Sequence, residues 1–244
     1  MIERTPARDD IRLRIVQASA ALLAEGGAER VTTRAVAERA GVQAPTIYRL
    51  FGDKDGLLDA VAEHALAQFS ASKAAGLEAA AAAGADPIAD LRAGWDLTIG
   101  FGLANPDLFV IMSDPRRGRG SPAAASALQV LEERMRRVAA SGRLRVREGE
   151  AARLMHAAGT GAVLALLAEP ASSRDPRLAD VLFDAVMTQV LAPSLPPPGP
   201  GPAEEPARTA ALALRALARD LVALSPAERA VLTEWLDRIV DRPA

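Results

Sequence analysis

Between Arg34 and Lys54 the chain gathers hydrogen-bond donors, cations and small apolar groups at helical spacing. Arg49 can pair with a phosphate or fork onto the edge of guanine, and Gln43 carries the amide that pairs with adenine. Thr46 and Tyr48 offer hydroxyls to phosphate oxygens, while Ala44 and Pro45 offer apolar contact to a thymine methyl. Tyr48 is the only tyrosine in the chain, on a face where no core needs it. Lys54 opens the next helix, where unpaired N–H groups and the helix dipole favour a phosphate. Arg34 can brace the same backbone from the preceding helix. These groups suit the edges and backbone of double-stranded DNA. Each also has an ordinary reading: Tyr48 as packing, Arg49 and Lys54 as solvated charges, Gln43 and Ala44 as surface that touches nothing.

Two short helices crossing steeply would position them. The segment from Val31 to Leu58, VTTRAVAERAGVQAPTIYRLFGDKDGLL, predicts such a pair. One helix runs from Thr33 to Ala40 with Thr32 as its cap. Gly41-Val42-Gln43 is the turn, and the second helix runs from Ala44 to Phe51. Gly41 supplies the positive φ that a sharp turn needs. Ala37 and Ala40 are small enough for close approach, and Val36, Val42, Ile47 and Phe51 supply a core. This is helix-turn-helix geometry, whose second helix can enter a major groove. An earlier helix, roughly Asp10 to Glu25, aligns Ile11, Ile15, Ala18 and Leu22 and stops at Gly26-Gly27. Asp53 caps a long helix from Lys54 to about Ala83.

Composition excludes most other chemistry. The net charge is −2 over 244 residues, so contact with DNA requires a local patch. Eight aromatic residues (two Trp, one Tyr, five Phe) leave the core to Ala, Leu and Val. That composition favours an all-α chain. The absence of cysteine removes disulfides, thiol nucleophiles and Cys-ligated metals. His64 and His156 are too far apart for an HExxH zinc site, and no Walker A, GxGxxG or GxSxG motif is present. No catalytic residue, metal or cofactor is expected. An enzyme using the C-terminal half is the competing class, with the separated histidines and missing cysteine against it. No secretory signal is expected at the N-terminus. The longest apolar run, Ala157 to Ala168, is shorter than the ~20 residues of a membrane span. A cytoplasmic protein without membrane contact is expected.

Helix starts recur as a capping residue before proline, at Asp86-Pro87, Asn105-Pro106, Ser121-Pro122, Asp175-Pro176 and Ser225-Pro226. Ser225 and Glu228 form a capping box. Helices are predicted near 87–104, 106–113, 122–141, 147–168 and 176–192. Seven prolines within 193–206 read as a semi-rigid linker. Two amphipathic helices follow, about 207–223 and 226–241. Such a hairpin cannot bury its apolar stripe alone, so it is expected to dock on the body or on a second subunit.

The elements TRAVAERAGV, APTIYRLF and DKDGLL closely resemble the DNA-binding domain of the tetracycline-repressor-like (TetR) transcriptional regulators. The resemblance covers about residues 8–60, including the first helix and its Gly-Gly stop. It implies base or phosphate contact at Gln43, Ala44, Pro45, Thr46, Tyr48 and Arg49, and phosphate contact at Thr33 and Lys54. Gln43 stands where the family has serine or threonine, Leu50 where an aromatic is common, and Gly56 where glutamate is common. The architecture expected is an N-terminal three-helix helix-turn-helix domain (1–53) and a helical effector-binding and dimerisation domain (54–192). A Pro-rich linker (193–206) and a C-terminal helical hairpin (207–244) follow. The function implied is that of a repressor, binding a pseudo-palindromic operator as a homodimer and released by a small apolar effector. Control by a protein partner through the hairpin is the alternative.

The effector pocket comes from the resemblance alone. Trp95, Thr98, Phe101, Phe109, Met112, Met135, Met155, His156 and Thr160 could line it, and each also reads as core. His156 reads first as a hydrogen-bonded core histidine and second as a polar anchor. The segment Ala104 to Phe109 resembles one common in the family's ligand domains. For the dimer, Ala158, Gly159, Gly161 and Ala162 permit close helix approach, and Phe183, Val186, Met187 and Val190 could pack across. Packing within one chain is the alternative. The Asp114–Gly120 loop reads as solvated, with anion binding the second reading.

Overall fold

The computed structural model describes residues 6–117, 120–175, 177–192 and 204–241. Most of the Pro-rich linker therefore lies outside the described residues, as do Pro176, Gly118 and Arg119. Eleven α-helices follow one another: α1 (Pro6–Arg30), α2 (Thr33–Ala40), α3 (Ala44–Phe51), α4 (Lys54–Ala82), α5 (Pro87–Ala104), α6 (Pro106–Met112), α7 (Pro122–Ala140), α8 (Glu148–Leu167), α9 (Arg177–Val190), α10 (Glu204–Leu217) and α11 (Pro226–Val240). A 3-10 turn at Ala218–Asp220 follows α10. Among the described residues there is no strand, only an isolated antiparallel bridge between Leu144 and Leu191. The chain is all-α.

Local side-chain caps explain the starts of α2, α4, α5, α7 and α11. Thr32 accepts the Ala35 N–H (3.2 Å), Asp53 the Gly56 N–H (2.8 Å) and Ser121 the Ala124 N–H (2.9 Å). Asp86 accepts from Ile88 and Ala89, both at 3.1 Å. Ser225 and Glu228 close a reciprocal capping box. Asn105 departs from the expectation: its amide donates backward to the Phe101 carbonyl (3.0 Å), and α6 starts without a side-chain cap.

The residues form two compact units, Met1–Ala74 with Thr98–Ala127, and Ala75–Leu97 with Leu128–Ala244. The first is built on Ile15, Leu22, Val31, Val36, Ile47, Leu57 and Val61, with Leu108 and Ile111 of α6 packed against them. The expected stop of the first helix is a kink. Hydrogen bonding continues to Arg30, but Gly26 (φ −173°, ψ 29°) and Gly27 (φ 74°, ψ −174°) leave the helical region. Gly27 adopts a conformation essentially reserved for glycine. A Cβ there would also run into the Asp107 carboxylate, which accepts the Ala28 N–H at 3.2 Å. Gly27→Ala should therefore cost more than the ~1–3 kcal/mol of backbone strain alone. Gly41→Ala, with φ 64° and nothing within 4 Å of its Cβ, should cost only the strain. Urea midpoints of the two variants check this, and equal losses would remove the Asp107 contact from the account.

The second unit encloses Leu91, Met135, Val138, Leu144, Val163 and Val190. Inside it, Asp90 and Arg134 form an ion pair (3.3 Å) that is nearly sealed from water. The α10–α11 hairpin closes over Ala211, Leu212, Leu236 and Val240. Charges tie it to α7 and α8. Arg147 pairs with Asp237 (3.1 Å) and Asp241 (2.6 Å), Arg215 with Glu148 (2.8 Å), Arg136 with Asp220 (3.3 Å), and Arg219 with Glu133 (2.8 Å). The hairpin thus docks on its own unit.

Candidate nucleic-acid interface

The α2–α3 corner is set by one left-handed residue. Gly41 (φ 64°, ψ 40°) turns the chain, donating its N–H to Glu38 O (3.3 Å), while Val42 donates to Ala37 O (3.0 Å). Ala37, Ala40 and Ile47 are buried at the crossing, and Val42 and Phe51 are partly buried against the same core. α3 starts without a side-chain cap, because Gln43 makes no such bond; Pro45, lacking an N–H, sits in its first turn. Arg12 of α1 braces the far end of α3, donating to Leu50 O (3.1 Å) with its guanidinium 4.5 Å from the Phe51 ring centre. Arg39 pairs with Glu25 (2.7 Å) and ties α2 to α1.

On this frame α3 turns Gln43, Pro45, Tyr48 and Arg49 outward, with Ala44 and Thr46 half-buried. Tyr48 is 54 % exposed, its hydroxyl 3.4 Å from Thr33 Oγ1, so α2 and α3 present the two hydroxyls side by side. Arg34 and Arg49 are exposed, with no hydrogen bond or ion pair among the described residues. Lys54 is exposed and donates to Ala28 O (3.4 Å), which holds its ammonium beside the end of α1. The surface therefore offers two guanidinium groups, an ammonium, three hydroxyls and an amide. It can donate to phosphates and read base edges.

Asp107 and Arg12 are positioning residues that no local pattern in the sequence marks, and Arg117 of the loop expected to be solvated is a third. Arg117 is mostly buried between Asp55 (3.2 Å) and Asp59 at the start of α4, and Arg116 pairs with Asp114 (2.9 Å). The described arginines of the 114–120 loop are thus matched to carboxylates.

The residues named for an effector divide between the two units. In the first, Phe101 stacks on Phe69 (4.4 Å), and Lys73 donates to Thr98 Oγ1 (3.0 Å). Phe109 is buried there and Met112 half-buried. In the second, Trp95 packs its ring against Gly159 and meets Phe183 edge-on at 5.5 Å. Its indole N–H is buried and has no acceptor among the described residues. Met135 and Met155 are buried and Thr160 half-buried. His156 is a correction: it is exposed, not in the core. The buried face of α8 carries Ala152, Met155, Gly159, Ala162, Val163 and Leu166. One residue past Met155 is a rotation of about 100°, which carries His156 off that face.

Of the residues named for a dimer face, Gly159, Ala162, Phe183, Met187 and Val190 lie in the core of their own unit. Gly161 is exposed, and Ala158 and Val186 are half-buried. A surface groove of about 530 Å³, lined by Arg145, Asp184, Met187, Thr188, Leu191 and Ala192, contains none of the effector candidates. Among the described residues no group of side chains could hold a metal ion, and no helix is long and apolar enough to cross a membrane.

Residues 15–61 match the family model described as bacterial regulatory proteins, tetR family. Over 54 residues the chain is 48 % identical to the class A tetracycline repressor protein from transposon 1721 of Escherichia coli. That match covers 22 % of this chain and spans a quarter (25 %) of the repressor's length. The fold is also similar to solved structures. RolR in complex with the ligand resorcinol aligns with a TM-score of 0.56 and 20 % identity, over 77 % of this chain and 90 % of that one. A TetR-family transcriptional regulator from Agrobacterium tumefaciens aligns with a TM-score of 0.51 and 17 % identity, over 76 % and 100 %. At such identities the likeness is one of fold.

Proposed function

We propose that this chain, whose residues 15–61 match the tetR family model, is a ligand-responsive repressor that binds a pseudo-palindromic DNA operator as a homodimer. The observation that carries this reading is the outward face of α3, where Tyr48 and Arg49 stand exposed on a helix braced from behind by Arg12. Two such helices would enter successive major grooves, with half-sites about one turn (~34 Å) or somewhat more apart. Gln43, Ala44, Pro45 and Arg49 would meet base edges, and Thr33, Arg34, Thr46, Tyr48 and Lys54 the phosphates.

The homodimer is proposed through the outer side of α8 and α9. Leu154, Gly161 and Leu164 of α8 and Val181 of α9 are exposed there, and Ala158 and Val186 lie alongside. A small apolar effector would act on the second unit. Trp95 supports this reading, because a buried donor left unpaired costs about 1–3 kcal/mol and an effector oxygen would satisfy it. The effector shifts the operator equilibrium only by its differential affinity for the DNA-competent and incompetent states, through α4.

Fluorescence anisotropy against DNA flanking the chain's own gene, beside scrambled DNA at one salt concentration, tests the reading. The flanking DNA should bind far more tightly. Arg49→Ala should cost about 1–3 kcal/mol of that preference, and Tyr48→Ala should weaken binding more evenly across sequences. No DNA bound, even after unbiased selection of sites, would overturn the proposal.

A further inference from the structure

α11 buries one apolar stripe and leaves another in water. Leu236 and Val240 face the hairpin core, with Leu232 beside them. Val231, Trp235 and Ile239 are 43, 59 and 47 % exposed. Spaced by four, these three form one line along the helix. The hairpin does not need them for docking, since its inner stripe and its ion pairs to α7 and α8 already hold it.

The charges beside the stripe identify what fits it. Glu234 and Arg238 each precede a stripe residue by one position, so both lie on the same flank; both are exposed and in the single chain they pair with each other along the helix, a pairing that a second copy would exchange. Their signs are opposite and in a fixed order along the helix. When two copies of one helix pack antiparallel about a two-fold axis, the same flank meets itself with its order reversed. The flank is then complementary to itself. Glu234 meets the partner's Arg238, and Arg238 meets the partner's Glu234. Trp235 meets the partner's Trp235, and Val231 meets the partner's Ile239. A flank with no net charge gives nothing to an anionic lipid surface or to a nucleic acid. A central tryptophan is the residue type that most often anchors a protein contact.

We propose that α11 is a self-association face, packing antiparallel on α11 of a second copy of this chain. It is separate from the α8–α9 side and does not depend on it.

Sedimentation of the full chain over a concentration series tests this. Glu234→Arg leaves two cations on the flank and Arg238→Glu leaves two anions, so each variant alone should associate about tenfold more weakly or worse. An equimolar mixture of the two should recover the association, because opposite charges then meet at both positions. A substitution that merely unfolded the hairpin could not be rescued by mixing. Trp235 emission, read in a Trp95→Phe background where it is the only tryptophan, should shift to the blue with concentration in the parent and in the mixture, but not in either variant alone. Superimposable mass profiles for the parent and both single variants would overturn the proposal, leaving the stripe to another occupant. So would loss of association without recovery on mixing.

Discussion

Asp90→Ala should destabilise the chain by roughly 3–5 kcal/mol, because it strands a buried guanidinium. The Asp90 and Arg134 side chains are each only 4 % exposed, and the carboxylate also takes Arg137 at 3.2 Å. Burial pulls the Arg134 guanidinium below its ordinary value, and the Asp90 charge works against that. The room for it is made by absent side chains: a Cβ at Gly94 would overlap the guanidinium, and one at Gly76 would sit 3.8 Å from it. Removing the carboxylate leaves Arg134 without its counter-charge in a site water does not reach. Arg137 is less committed, since it also donates to Ala85 O (3.3 Å) and has some exposure. Asp90→Asn keeps one oxygen acceptor and should lose less. Asp90→Ala combined with Arg134→Met should recover most of the loss, because the buried charge is gone and methionine refills much of the volume. Urea denaturation at unchanged slope reads all three. A loss under about 1 kcal/mol for Asp90→Ala would mean that water or another group takes over from the carboxylate.

This ion pair marks the limit of what the sequence exposes. Elements specified by neighbours a few residues apart are legible: the Thr32 cap, the Gly41 turn, the Asp53 cap and the Ser225–Glu228 box all act within one turn of helix. The outward face of α3 is legible for the same reason, since the helical period fixes which side chains oppose Ile47. The stop at Gly26-Gly27 is legible as a break but not as a kink, because whether a helix resumes depends on what receives it. Here that is Asp107, 79 residues away from the Ala28 N–H it accepts. Arg12 on Leu50, Arg117 on Asp59 and Arg134 on Asp90 join residues far apart in the sequence, and no local pattern announces them. Of the small residues at 158–162, Gly161 has nothing within 4 Å of its Cβ position, and Gly159 marks a close approach, though not what approaches. At Gly159 it is the Trp95 ring of the same chain. His156 is not legible as exposed because the apolar composition of α8 does not show which of its sides is buried.

Leu212→Ala should melt the α10–α11 hairpin while leaving the N-terminal unit folded. Leu212 is fully buried, in a small cluster with Ala211, Leu236 and Val240. Truncating such a leucine costs about 2–5 kcal/mol, which a core this small cannot absorb. The ion pairs do not make up the difference, because pairs that keep contact with water contribute about 1 kcal/mol or less each. Burial raises the Asp237 carboxyl, but Arg215 and Arg147 outweigh it and hold it below its ordinary value of 3.8. Its contribution is therefore present above that value and lost as pH falls through the lower folded one, so docking should not vary between about pH 5 and 8. Apolar packing is left as the term that decides. Hydrogen exchange should show residues 204–240 losing protection in the variant while residues 15–61 keep theirs. Self-association through α11 should disappear with it, although Trp235, Glu234 and Arg238 are untouched. Equal loss of protection in both regions would instead make the hairpin part of one cooperative structure with the helix-turn-helix domain, and the two would then have to be treated as a single folding unit.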